Sequence, residues 1–353
     1  MVQLSDGKMW PHNPRLFVLN AIETEYQPGA TAPKWERFLE ELWPEDAVSR
    51  EALQEWFGLC LTDETRFQKG LILVGPARGG KGTIARTKRN LLGPRNYCGP
   101  SLSSLTGDFG LEPLIGKKVA VVPDARTDSR ANRTVVTERL LSVIGEDPQD
   151  INRKNAKFWH GIVRARVMIL ANALPDFKDE TGVIATRFVI LQLWRSWLGR
   201  EDLELEDKLR AELSGILNWA MVGWRRLAGR GKFLAPGNGE LNEELASIGS
   251  STKAFVEARC ELGAEYSVKR ETLYAAYRDW CVSNGVPRAD RLPSNHFSGK
   301  LRSAYPGRID DVRPRIDNPG RKRMYTGIRL EVVQGGGPGP AGGPGFGPHQ
   351  RSG

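Results

Sequence analysis

Apolar residues recur along this chain with two different spacings, and the change of spacing divides it. Over residues 35–66, "WERFLEELWPEDAVSREALQEWFGLCLTDETR", Phe38, Leu39 and Leu42, then Leu53, Trp56, Phe57 and Leu59, fall at helical intervals, which predicts a helical region. Beyond it the pattern turns to short continuous apolar runs: "LILV" at residues 71–74, then "KKVAVVPDA", "ARVMILANA" and "TRFVILQL". Such runs read as buried strands, and helices expected over residues 135–144 and 206–227 alternate with them. Strands set between helices predict an α/β sheet.

Near "RGKFLAPGNGE" the pattern gives way to Gly, Pro and polar residues, which reads as a linker. A second module follows. Its expected parts are helices in "STKAFVEARCELGA", "KRETLYAAYRDWCVSNG" and "SNHFSGKLRSAY", closed by a strand in "RMYTGIRLEVV", an order that suggests a winged helix. The tail "GGGPGPAGGPGFGPHQRSG" is too rich in Gly and Pro to pack and is expected to be disordered. The expected layout is a lead-in and helical region at 1–66, an α/β core at 67–235, a linker at 236–249, a winged-helix-like module at 250–333 and the tail at 334–353.

Composition narrows the function classes. The 353 residues are 40% hydrophobic, enough for one large core or two smaller ones. Lys+Arg 51 against Asp+Glu 42 gives +9, an excess that suits a polyanionic partner, although solubility alone accounts for it equally. Cys60, Cys98, Cys260 and Cys281 are scattered without a C-x-x-C pair, so neither a zinc site nor a disulfide framework is signalled. No signal peptide or membrane-length apolar run stands out, and a cytoplasmic protein with no membrane partner is expected. "PHNPRLFVLNAIETEYQPGA" reads as connecting chain, so an upstream domain is expected to be missing.

The chemistry begins at "LILVGPARGGKGTIAR". Against the phosphate-loop pattern G-x-x-x-x-G-K-[ST], Gly75, Gly80 and Lys81 fit, Pro76, Ala77, Arg78 and Gly79 fill the loop, Gly82 takes the hydroxyl slot, and Thr83 comes one place late. Glycines let successive N–H groups face a phosphate, so ATP is the expected ligand. The competing reading is a structural strand-to-helix turn, which leaves Lys81 unexplained. Asp124 ends the next apolar run, where a carboxylate would reach Mg2+ together with Thr83. Asn172 ends another, where its amide would orient water or touch the γ-phosphate; asparagine is also a common turn former.

These segments, with "ERLLSVIGEDPQDINRKN", "VMILANALPDFKDETGVIATRF" and "ELSGILNWAMVGWRRL", resemble the superfamily 3 helicases, specifically the helicase part of the phage and plasmid primase/helicase family. The resemblance runs from about residue 11 to residue 333. It implies an AAA+-like P-loop core, Lys81 in a Walker A loop, Asp124 as the Walker B acid, Asn172 as the sensor and Arg187 as an arginine finger given to a neighbouring subunit. It also implies an ATP-driven homo-hexameric ring that translocates 3′ to 5′ on single-stranded DNA in replication.

Two departures qualify that picture. The residue after Asp124 is Ala125 where many members carry a second carboxylate, which leaves Glu138 and Glu146 as candidates for the general base. The primase domain is absent from this chain, so primer synthesis is not expected and a separate primase is a possible partner. "GEDPQDINRKNAKFW" lies where these helicases carry a channel hairpin, and Arg153, Lys154 and Lys157 would touch phosphates there; an exposed charged loop is the bland alternative. In the second module Lys300, Arg302, Arg313, Arg315, Arg321, Lys322 and Arg323 surround Tyr325, a basic set suited to duplex origin DNA or to a solvated interaction face. Trp194, Trp197, Trp219 and Trp224 are expected in the core, and no role is assigned to any histidine. An origin-binding ATPase without unwinding and a nucleotide kinase are the alternative functions.

Overall fold

The computed structural model describes residues 1–11, 13, 15, 21–125, 132–312 and 323–331. Two helices lead in. α1 (Pro33–Leu42) buries Trp35, Phe38, Leu39 and Leu42, and α2 (Ala47–Leu59) starts at Asp46, whose carboxylate accepts the Ser49 N–H at 2.9 Å. Both follow the helical spacing.

The four apolar runs form four strands of a five-stranded sheet, and residues 97–98 add the fifth. β1 (Gly70–Val74), β2 (Tyr97–Cys98), β3 (Val119–Val122), β6 (Arg166–Ala171) and β7 (Phe188–Gln192) lie in the order β2-β3-β6-β1-β7, every neighbour parallel. Between β3 and β6 the chain makes a separate antiparallel hairpin, β4 (Pro148–Arg153) with β5 (Ala156–Ile162). Alternate residues of one strand enter different cores: Leu71 and Leu73 pack with α1, α2 and the later helix α7 (Leu213–Arg230), while Ile72 and Val74 pack against α4 (Arg133–Gly145). Covered on both faces, the strands need unbroken apolar sequence, which is why they were visible as runs.

Three elements depart from expectation. The helix expected over 206–227 is two, α6 (Leu205–Arg210) and α7 (Leu213–Arg230), because Glu212 turns its carboxylate to the start of α1 and accepts the N–H groups of Lys34 and Trp35 at 3.0 and 3.1 Å. The expected linker at 236–249 contains α8 (Glu240–Ile248), whose fully buried Leu245 packs in the second core. In the C-terminal module the first helix, α9 (Ser251–Arg259), stops before "CELGA", and residues 260–269 are β8 (Cys260–Lys269). Strand pairing overrides local helix propensity here: β8 lies antiparallel to β10 (Met324–Leu330), which also pairs with β9 (Asp310–Val312). α10 (Arg270–Ser283) and α11 (Ser294–Ala304) complete the module around Phe255, Tyr277 and Phe297. The expected tail lies outside the described residues.

α2 and α7 approach closely. A Cβ on Gly58 would sit 2.4 Å from the Ala220 carbonyl, and one on Gly223 would sit 2.3 Å from that of Gln54. Between them Glu55, fully buried, accepts from Arg226 at 2.7 Å and also pairs with Arg230. Lys88 on α3 (Lys81–Leu92) is equally buried; its ammonium donates to the Phe57 carbonyl at 2.8 Å, and burial lowers its pKa to about 8. The tryptophan expectation holds in part. Trp219 and Trp224 pack in cores, Trp197 is half-buried, but Trp194 is 74% exposed, because it lies past the end of β7 in an irregular segment. Among the described residues no helix is long and apolar enough to cross a membrane.

Candidate nucleotide site and nucleic-acid surfaces

Parallel strands end on one edge of a sheet, and there Gly75, Asp124 and Asn172 follow the neighbouring strands β1, β3 and β6. β1 is flanked by β6 and β7 while the chain leaves it for the far strand β2, a reversal of direction of the kind that opens a crevice for ligands at the carboxyl ends. The loop from β1 to α3 is built for close approach. Gly75 has φ 154°, Arg78 φ 59° and Gly80 φ 95°, and a Cβ on Gly75 would lie 2.3 Å from the Leu193 carbonyl. α3 then begins at Lys81 with no side-chain cap, so its first N–H groups have no intrahelical acceptor.

The Lys81 ammonium is gathered onto the site. It donates to the carbonyls of Gly75 and Pro76 at 2.5 and 2.7 Å and to Asn172 Oδ1 at 3.2 Å, and burial lowers its pKa. Lys81 and Asn172 are thus brought together across 91 residues of sequence. Asp124 is exposed at the end of β3; the register Val122↔Ile169 sets it about level with Ala171 and Val74. No group of three His, Cys, Asp or Glu side chains that could hold a metal occurs among the described residues. Mg2+ in phosphate sites takes one or two protein oxygens and draws the rest from phosphate and water, and Asp124 and the Thr83 hydroxyl are the side-chain oxygens that could supply them.

Two features of this edge were not legible beforehand. Residues 193–201 strap the loop: Ser196 Oγ donates to the Ala77 carbonyl at 2.8 Å, the Trp197 N–H to that of Arg78 at 3.2 Å, and Arg78 pairs with Glu201 at 3.6 Å. Arg86, one turn along α3, leans back over Gly82. Its Nη1 is 3.0 Å from where a Gly82 Cβ would stand, its Nη2 is 3.4 Å from Thr83 Oγ1, and its Nε pairs with Glu206 at 2.8 Å. The i,i+4 spacing of Gly82 and Arg86 is the one sequence signal that could have found it.

Arg187 lies at the other edge. It closes α5 (Val183–Thr186), its carbonyl accepts the Gly70 N–H at 2.8 Å, and its guanidinium donates to Gln68 Oε1. Glu146 is also at that edge, buried against Arg166 at the start of β6, so it is not a general base for this site. Glu138 is exposed on α4 and lines a cleft of about 340 Å³ with Asp108 and Asn152, away from the loop.

The segment expected to touch DNA is the β4–β5 hairpin, turned at Asn155 with φ 57°. Lys154 and Lys157 are exposed at its tip beside Phe158, which is 56% exposed, while Arg153 is half-buried and donates to the Lys157 carbonyl at 2.9 Å. In the C-terminal module Arg313, Arg315, Arg321 and Lys322 lie outside the described residues; Arg323 is within them, 3.9 Å from Asp311.

Residues 73–187, which span Lys81, Asp124, Asn172 and Arg187, match a family described as of unknown function, DUF5906, and residues 1–44 match one described as D5 N terminal like. No curated protein matches the chain. Among solved structures, the apo structure of the NrS-1 C terminal region aligns with a TM-score of 0.53 at 13% identity, covering 87% of this chain and 79% of that one. Two A form apo structures of the same region give 0.50 and 0.48, each at 15% identity, covering 82% and 80% of this chain. The chain spans 65% and 64% of the length of those two. At such identities the likeness is one of fold.

Proposed function

We propose that this chain is an ATP-dependent DNA helicase of superfamily 3 type, acting in replication of a phage, plasmid or integrated mobile element as a homo-hexamer. The observation that carries the reading is the meeting of the Lys81 ammonium with Asn172 at the carboxyl edge of a parallel sheet, one strand from Asp124. A glycine loop, a strand-terminal acid and a strand-terminal amide on adjacent strands are the parts phosphoryl transfer needs. The D5-like N-terminal match supports the phage and plasmid affiliation.

In this reading Gly75, Pro76, Ala77, Arg78, Gly79, Gly80, Lys81, Gly82 and Thr83 hold the triphosphate, and Thr83 and Asp124 hold Mg2+. ATP supplies the anhydride bond whose hydrolysis drives movement. Lys81 neutralises β- and γ-phosphate charge, Asn172 orients the attacking water, and Lys154 and Lys157 carry single-stranded DNA. We read the C-terminal order α9-β8-α10-α11-β9-β10 as a winged helix and assign it to duplex origin DNA.

The second reading, an origin-binding ATPase that does not unwind, draws on the position of Glu138 and Glu146, neither of which serves the loop. The test is ATP turnover with and without single-stranded DNA, beside strand displacement. DNA-stimulated turnover that falls at least about 100-fold in Lys81→Ala and Asp124→Asn supports the site, since one lost electrostatic contact to the transition state commonly costs that much. Turnover at the parental rate in either variant refutes it, and turnover without displacement favours the second reading.

A further inference from the structure

The C-terminal module has a cleft of about 430 Å³ that the ATPase reading does not use. α10 forms its long wall. Leu273, Tyr277 and Cys281 on the inner face of that helix are fully buried, so the turns of the outer face bring Arg270, Tyr274 and Arg278, at i, i+4 and i+8, into one row. Arg323, just before β10, closes the side; its carbonyl accepts the Arg270 N–H at 3.0 Å. Ser294, the first residue of α11, completes the lining, and Pro293 before it offers no side-chain cap.

The charge in the cleft is held in place. Asp311 Oδ2 stands 3.5 Å from Arg270 Nη1 and 3.9 Å from Arg323 Nη1, so one mostly buried carboxylate anchors two guanidinium groups. Arg270 also donates to the Ser294 carbonyl at 3.4 Å. Glu271 lies on the lining as well, so Arg270 and Arg323 are roughly offset by the two acids, and Arg278 supplies the surplus charge. Arg278 is exposed, and it has no ion-pair partner among the described residues. The start of α11 adds the positive end of a helix.

We infer, resting on the assignment of this module to duplex DNA, that this cleft binds phosphodiester groups of a DNA backbone. Arg270 and Arg278 are eight residues apart on one helix, about 12 Å, which is longer than one phosphate and suits a string of them. Tyr274 does not offer itself to a base, since its hydroxyl donates to the Leu292 carbonyl at 3.2 Å and its ring stacks on Tyr277. Contacts here therefore hold and orient nucleic acid without reading sequence.

The test is Arg278→Ala and Arg278→Lys in the full chain, titrated with a short duplex across a range of salt and followed by anisotropy. One lost phosphate contact flattens the log–log salt slope by about 0.9 and weakens binding roughly fivefold to tenfold near 0.1 M salt. Arg278→Lys should recover most of both, and single-strand-stimulated ATP turnover should not change. That last readout separates failure here from failure of the helicase reading. Because Arg278 is exposed, thermal melting should match the parent. Parental affinity and slope in Arg278→Ala overturn the inference, as does loss of inorganic phosphate binding by calorimetry with duplex binding intact, which would mark a small-anion site.

Discussion

Arg187 offers the sharpest test of the proposal that subunits share an active site. Its carbonyl sits beside Gly70, the first residue of β1, whereas the loop begins at Gly75 after the last. Five strand residues separate them, about 17 Å at the usual rise, and the guanidinium is turned to Gln68 at the far edge. No arginine side chain reaches back over that span, so a contribution to the γ-phosphate has to go to another subunit. Arg187→Ala should then bind ATP normally and hydrolyse it about 10³-fold or more slowly, the range of arginine fingers. Stability should change little, since the loss also relieves Lys69, whose pKa is lowered by burial and then by the Arg187 charge. The assay mixes Lys81→Ala with Arg187→Ala in equal amounts under subunit exchange. In a head-to-tail ring about one interface in four then pairs an intact lysine with an intact arginine, so turnover should return to roughly a quarter of the parental value. A mixture as inactive as its parts, although light scattering shows mixed rings, refutes the shared site.

Other perturbations follow from single contacts. Gly75→Ala should abolish binding of a fluorescent ATP analogue, because the new Cβ meets the Leu193 carbonyl at 2.3 Å; Gly82→Ala meets only the tip of Arg86 and should bind it normally and melt no lower than the parent, as Ala is favoured over Gly in a helix by about 1 kcal/mol. Charge reversal at Lys154 and Lys157 should flatten the salt slope on single-stranded DNA by about 0.7 per contact and leave duplex binding near parental; equal loss on both substrates would remove that division of labour. Lys88 has its folded pKa depressed to about 8 from 10.5, so the unfolded chain binds the extra proton between those values and stability contributed by this group rises with pH across that window. The urea midpoint of the parent relative to Lys88→Met should therefore climb from pH 8 to pH 10; the difference matters because the Cys60 thiol, pushed up by burial, contributes with opposite sign above pH 9. A constant difference would mean that Lys88 titrates normally.

Much of the α/β core was legible because its strands are covered on both faces, and a strand so covered has to be apolar at every position. Residues 71–74, 119–122 and 167–171 could be read one by one, and the glycines at 75 and 80 announced a backbone that no other residue adopts comfortably. Elements exposed on one side were harder. β8 carries Glu261, Gly263 and Glu265 between partly buried residues and becomes a strand only by pairing with β10, and α8 looks like a linker until Leu245 is seen under the sheet. Local sequence holds no record of a partner more than 50 residues away.

The residue types of the candidate site were set by sequence: a lysine after glycines, an acid and an amide after apolar runs, an arginine before a fourth. Their arrangement was not. Strand order put β6 between β1 and β3, which brought Asn172 to Lys81 and set Asp124 at the end of the strand beside Asn172's, while the same parallel topology carried Arg187 and Glu146 to the opposite edge. Arg86 over Gly82, the strap at 193–201 and the arginine row of α10 likewise depend on which faces pack inward. Chemistry is a property of side chains and is written locally, but which groups share a site depends on long-range burial, and only folding decides that.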